Sequence, residues 1–112
     1  MSTAEISPAE LNQSIKNGTP PVILDVREDH ELAIASLPSV QCSLHIPIGE
    51  IQPRLHELSA YKHMDIVVYC RSGSRSGSVA IFLQQNGFSK VKNLKGGILA
   101  WSQQVDPTVR QY

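Results

Sequence analysis

Short apolar runs of four or five residues alternate along this chain with stretches whose apolar positions recur at every third or fourth residue. The first pattern suits buried strands and the second amphipathic helices. Ser7-Pro8-Ala9-Glu10 has the form of a capping box with proline at the first helical position, so a helix should run from there to about Asn17-Gly18. Val22-Ile23-Leu24-Asp25-Val26, set between Pro20-Pro21 and Arg27-Glu28-Asp29, predicts a buried strand. A short helix is expected over 28–34, an irregular crossing over 35–42 around Pro38, and a strand over 43–46 that Pro47 ends. A further helix is expected within 49–58, started or interrupted near Pro53. Ile66-Val67-Val68-Tyr69 predicts the next strand. The helix that begins near Ser74 carries Val79, Phe82 and Leu83 on one face and stops at Asn86-Gly87. Val91-Lys92-Asn93-Leu94 is expected to be a short strand, Gly96-Gly97 a turn and 98–104 a last helix. This alternation predicts an α/β fold, a mostly parallel sheet covered by helices on both faces.

Composition narrows the class. A chain of 112 residues forms one domain rather than two. Apolar residues at 41% and charged residues at 18% fit a folded globular protein. Ten basic against ten acidic side chains leave no net charge, which argues against a nucleic-acid or membrane partner. No apolar stretch is long enough to span a bilayer, and Met1-Ser2-Thr3-Ala4-Glu5 does not start a signal peptide. A cytoplasmic location is therefore expected, with Cys42 and Cys70 reduced. Neither cysteine lies in an array with metal-ligand spacing, so no metal or other cofactor is expected.

Chemistry concentrates in Cys70-Arg71-Ser72-Gly73-Ser74-Arg75-Ser76, between the strand at 66–69 and the helix that follows. Ligands of such sheets bind beyond the carboxyl ends of the strands, and Cys70 is in that place. The loop leads into a helix N-terminus, where unpaired N–H groups and the positive end of the macrodipole favour an anion. Arg71 and Arg75 add two positive charges. A thiol there should ionise readily, which makes Cys70 the candidate nucleophile. Gly73 allows a positive φ and close backbone approach, and Ser72, Ser74 and Ser76 offer hydroxyl donors without bulk. The guanidinium forks of Arg71 and Arg75 match a small oxyanion.

Four segments in register resemble a single-domain rhodanese, a sulfurtransferase module. They are Leu24-Asp25-Val26-Arg27-Glu28, His45-Ile46-Pro47-Ile48-Gly49-Glu50-Ile51, the loop from Cys70 to Ser76, and Leu94-Lys95-Gly96-Gly97-Ile98-Leu99-Ala100-Trp101. The resemblance implies a rhodanese-like domain over residues 1–104 with a tail over 105–112. It implies a mostly parallel sheet of about five strands flanked by helices on both faces. It also implies sulfur transfer through a Cys70 persulfide, from thiosulfate or a persulfide donor to cyanide, a thiol or a sulfur-carrier protein. Arg71, Ser72, Gly73, Ser74, Arg75 and Ser76 then bind the donor, and a monomer is expected. The family's thiosulfate-type pattern has arginine after the cysteine, as here. Two alternatives stand beside it: a non-catalytic binding or sulfur-relay module, and a cysteine phosphatase or arsenate reductase. Those phosphatases place five residues between cysteine and arginine, whereas four separate Cys70 from Arg75.

The remaining polar and aromatic residues have plainer roles. Asp25 and Arg27 are expected to bond the backbone and each other, His45 to be a satisfied strand histidine, and Trp101 to pack in the core. Cys42 is either structural or a second redox centre. Where many family members have Gly-His-Ile-Pro-Gly-Ala, this chain has Ala35-Ser36-Leu37-Pro38-Ser39-Val40, which implies a changed turn.

Overall fold

Val22–Asp25 and Ile66–Tyr69 are buried at every position, because helices cover both faces of the sheet they form. In the computed structural model, which describes residues 3–112, they are β2 and β4 of five parallel strands. Met1 and Ser2, the start of the segment read above as lacking a signal peptide, lie outside the described residues. The others are β1 (Glu5–Ile6), β3 (Ser43–His45) and β5 (Val91–Leu94), and the order across the sheet is β1-β5-β4-β2-β3. Asp25 pairs with Tyr69 on one side and His45 on the other, so the carboxyl ends of β2, β3 and β4 are level.

The helices are α1 (Pro8–Lys16), α2 (Asp29–Leu32), α3 (Ser74–Gln85) and α4 (Gly97–Gln104). The expected capping box starts α1: the Ser7 hydroxyl accepts from the Glu10 N–H at 3.1 Å and the Glu10 carboxylate accepts from the Ser7 N–H at 3.2 Å. Gly18, at φ +76°, closes the turn after it. Period two divides the core. Val22, Leu24, Val68 and Val91 face α3, where they meet Val79, Ala80 and Leu83. Ile23, Val67, Tyr69 and Leu94 face Leu11 of α1 and Ile98 and Trp101 of α4. Trp101 is thus a core residue.

Two expectations need correction. Residues 49–58 do not form one α-helix; they form 3₁₀ turns at Ile48–Glu50 and Leu55–Tyr61 with irregular backbone around Pro53, which has no N–H to continue a ladder. The edge strand β1 was not expected, because two residues are too few to show an alternation. Residues 35–42 contain no helix or strand, and Leu37, Ala35 and Val40 pack them onto the α1–α4 face.

Candidate active site

Cys70 is the first residue beyond β4 and is buried. Its Sγ lies inside the turn that leads into α3. The Gly73 N–H donates to it at 3.1 Å, the Ser76 N–H at 3.5 Å, and the Ser76 hydroxyl lies 3.3 Å away. Gly73 makes this possible: its φ of +105° turns its amide inward, and a side chain would be strained there. The first turn of α3 also leaves the amides of Ser74 and Arg75 without a helical carbonyl, so donors converge above the sulfur.

Burial alone would push the Cys70 thiol up. The Ser76 hydroxyl and the N–H groups of Ser76, Gly73 and Ser72 outweigh it and bring the thiol below its ordinary value. These hydrogen bonds outweigh the arginine charges that were expected to do that work, although the Arg75 charge and the Cys70 thiolate do attract each other. Both terminal nitrogens of Arg75 are on the Glu31 carboxylate, at 2.8 and 2.9 Å. Arg71 is exposed, donates through Nε to the main-chain oxygen of Tyr112, and stacks on the Tyr112 ring with 5.2 Å from Cζ to centroid. Its terminal nitrogens have no partner among the described residues, so Arg71 is the guanidinium open to an anion. Ser72 and Ser74 lie at the exposed mouth of the loop.

Three supports were not found from the sequence. Asn93, buried in β5, donates through Nδ2 to the Gly73 carbonyl at 3.0 Å, and its Oδ1 lies 2.6 Å from the Ser76 hydroxyl. Ser76 has one hydroxyl proton for two acceptors, Asn93 and Cys70, so its donation to sulfur grows as the sulfur becomes anionic. A polar residue two positions after Val91, on the face of the short strand Val91–Leu94 that Val91 buries, was the available signal. Gly96 and Gly97 are more than a turn. They start α4 so that Ile98 donates to the Cys70 carbonyl at 3.0 Å and Leu99 to the Arg71 carbonyl at 3.1 Å. With those carbonyls held outward, the loop's amides face the sulfur. Glu31, the partner of Arg75, is the third, and no local pattern marks it.

Beneath the loop, Arg27 is fully buried. It donates to Asp25 through Nε at 3.0 Å and through a terminal nitrogen at 2.8 Å, and Asp25 also accepts from the Tyr69 hydroxyl at 2.9 Å. Burial opposes the Arg27 charge, but the bonds to Asp25 and Tyr112 hold it protonated. His45 donates through Nε2 to the Arg27 carbonyl at 2.7 Å. These groups support the site from below, and the hydrogen bonds to the Cys70 sulfur come from Gly73 and Ser76 instead. Cys42 precedes β3 and lies level with the start of β4, with its carbonyl accepting from Ile23. Cys70 is four residues further along the strand direction, roughly 13 Å. Cys42 therefore does not exchange with Cys70 within one molecule.

A parallel α/β domain with one buried cysteine in an amide-lined loop at the strand ends is equipped for nucleophilic thiolate chemistry. The chain belongs to the rhodanese-like domain family, whose pattern matches residues 7–104. A sulfurtransferase of Allochromatium vinosum is 35% identical over 105 residues, covering 94% of each chain. The putative sulfurtransferase YtwF of Bacillus subtilis is 36% identical over 107 residues, covering 96% of this chain and 98% of its own. Among solved structures, a rhodanese-related protein from Thermoplasma volcanium superposes with a TM-score of 0.77 at 31% identity, covering 97% of this chain and 99% of that one.

Proposed function

We propose that this domain is a sulfurtransferase that carries a sulfane sulfur on Cys70. The Cys70 thiolate attacks the outer sulfur of a small anionic donor such as thiosulfate. The new S–S bond forms as the donor's S–S bond breaks, and sulfite leaves with the electron pair. A thiolate acceptor, on a small molecule or a sulfur-carrier protein, or cyanide, then attacks the outer sulfur of the persulfide and Cys70 is released as thiolate. Neither step needs a net proton transfer, so no general base is required once Cys70 is ionised. Arg71 receives the donor's oxyanion, and the unpaired amides of Ser74 and Arg75 with the hydroxyls of Ser72 and Ser74 receive the persulfide's outer sulfur. Arg75 acts from behind the loop, by fixing it to Glu31.

The observation that carries this reading is the convergence of Gly73 N–H, Ser76 N–H and Ser76 hydroxyl on the Cys70 sulfur. That geometry stabilises an anionic sulfur where it sits. The short loop supports sulfur over phosphate, and the retained cysteine supports catalysis over binding alone. Free thiols suit a reducing compartment such as the cytoplasm, and no helix among the described residues is long and apolar enough to cross a membrane. Steady-state turnover of thiosulfate with cyanide tests the reading: thiocyanate should form with ping-pong kinetics. Phosphate release from an aryl phosphate without thiocyanate formation would overturn it.

A further inference from the structure

Tyr112 lies 42 residues beyond Cys70 in sequence yet reaches the mouth of the loop. Three features define its position. Its ring lies between two guanidinium groups, with the Cζ of Arg71 5.2 Å and that of buried Arg27 6.0 Å from the centroid. Its hydroxyl accepts from Arg27 at 3.0 Å and donates to Glu31 at 2.9 Å. Its main-chain oxygen accepts from Arg71 Nε. The segment leading to it is tied down as well: Ser102 donates to the Val109 carbonyl at 2.5 Å, and Val105 and Val109 pack on the α1–α4 face.

Beyond Tyr112, the Arg71 side chain has no partner among the described residues. A long flexible side chain at an exposed position would lose several rotamers on gripping a donor. Tyr112 removes that cost beforehand, because its ring and main-chain oxygen hold the inner part of Arg71 and leave the terminal nitrogens open. Through Glu31 the same residue is joined to Arg75, and through Arg27 to the buried Asp25–Tyr69 cluster. We propose that Tyr112 is a positioning residue that presents Arg71 to the anionic donor, which makes the 105–112 segment part of the donor site. This rests on the sulfur-transfer reading for its catalytic consequence, but the binding step it concerns can be measured without transfer.

Two consequences separate this role from a merely structural one. The groups that hydrogen-bond the Cys70 sulfur belong to Gly73 and Ser76, so the reactivity of Cys70 toward a neutral alkylating reagent should not depend on Tyr112. The ring, rather than the hydroxyl, faces Arg71, so phenylalanine should rescue donor recognition where alanine does not.

The test uses Tyr112→Ala and Tyr112→Phe, each in the full chain and combined with Cys70→Ser. In the Cys70→Ser background, thiosulfate binding measured by calorimetry should weaken about five- to thirtyfold with Tyr112→Ala and less than about twofold with Tyr112→Phe. In the active chain, Tyr112→Ala should raise the KM for thiosulfate by the same factor with kcat little changed. The pH profile of Cys70 alkylation by iodoacetamide should stay in place. Unchanged thiosulfate affinity in Tyr112→Ala would overturn the proposal, as would tighter binding, which would mean that the segment masks Arg71. Equal losses in both variants accompanied by a displaced alkylation profile would assign Tyr112 to loop folding instead, and also overturn it. If thiosulfate binds as expected but the unaltered chain forms no persulfide, the functional reading fails while the positioning role stands.

Discussion

Gly97 is the position where one added methyl group should disable the site without touching the sulfur. It adopts φ +63°, and a Cβ built there would lie 2.4 Å from the Arg71 carbonyl oxygen, 2.6 Å from its carbon and 2.6 Å from the Cys70 carbonyl oxygen. Real Cβ contacts stay above 3.0 Å, so backbone must move by at least about 0.6 Å. The atoms in the way are main chain and cannot rotate aside. Relief therefore pushes the Cys70–Arg71 peptide away from α4 and weakens the two hydrogen bonds from Ile98 and Leu99 that aim the loop. Strain at the left-handed backbone costs about 1–2 kcal/mol, and two compromised hydrogen bonds cost about 1 kcal/mol each. A displacement approaching 1 Å at a reacting group costs up to about a hundredfold in rate. Gly97→Ala should therefore lose about tenfold to a hundredfold in kcat/KM for thiosulfate, as well as about 2–4 kcal/mol of stability. The control is Gly18→Ala: the same kind of backbone, φ +76°, with nothing within 4 Å of the added Cβ. It should carry the strain alone and keep its activity. Rates and thermal melts of both variants, measured where both are folded, check this. A Gly97→Ala enzyme as active as Gly18→Ala would refute the idea that α4 sets the loop.

Ser76→Ala removes the hydroxyl that helps the thiolate, so the pH midpoint of Cys70 alkylation should move up and kcat/KM should fall about tenfold or more; an unmoved midpoint would contradict that role. Asp25→Ala leaves the buried Arg27 charge without its carboxylate and should cost about 3–5 kcal/mol, read as a fall in Tm of more than about 10 °C. Hydrogen bonds from Arg75 hold the Glu31 carboxyl down to about 2, below its ordinary 4.5. Because the folded-state value is depressed, its stabilisation is full above about pH 4.5 and is lost as pH falls through about 2. Glu31→Gln should flatten the stability profile across that window, and denaturant melts as a function of pH would show it.

What the chain revealed by itself follows from how local each feature is. The strands β2 and β4 were legible because burial on both faces makes them continuous apolar runs, and α1 because its capping box is contiguous. The loop was legible for the same reason: Cys70, Gly73 and Ser76 lie within one turn and act through their own backbone. The pairing of Arg75 was not legible, since nothing near Arg75 in sequence announces Glu31, 44 residues earlier. Asn93, Gly97 and Tyr112 reach the loop only because parallel topology brings β5, α4 and the 105–112 segment beside β4. The 3₁₀ turns over 48–61 escaped because a few apolar residues at near-helical spacing mimic a helix that proline does not allow.

The central claim is that Cys70 carries the sulfur, and the mass of the intact protein after brief treatment with thiosulfate tests it most directly. The account predicts one added sulfur atom on the wild-type chain, mapped to the Cys70 peptide, removed by cyanide and absent from Cys70→Ser. An unmodified chain, or a sulfur mapped to Cys42, would contradict it.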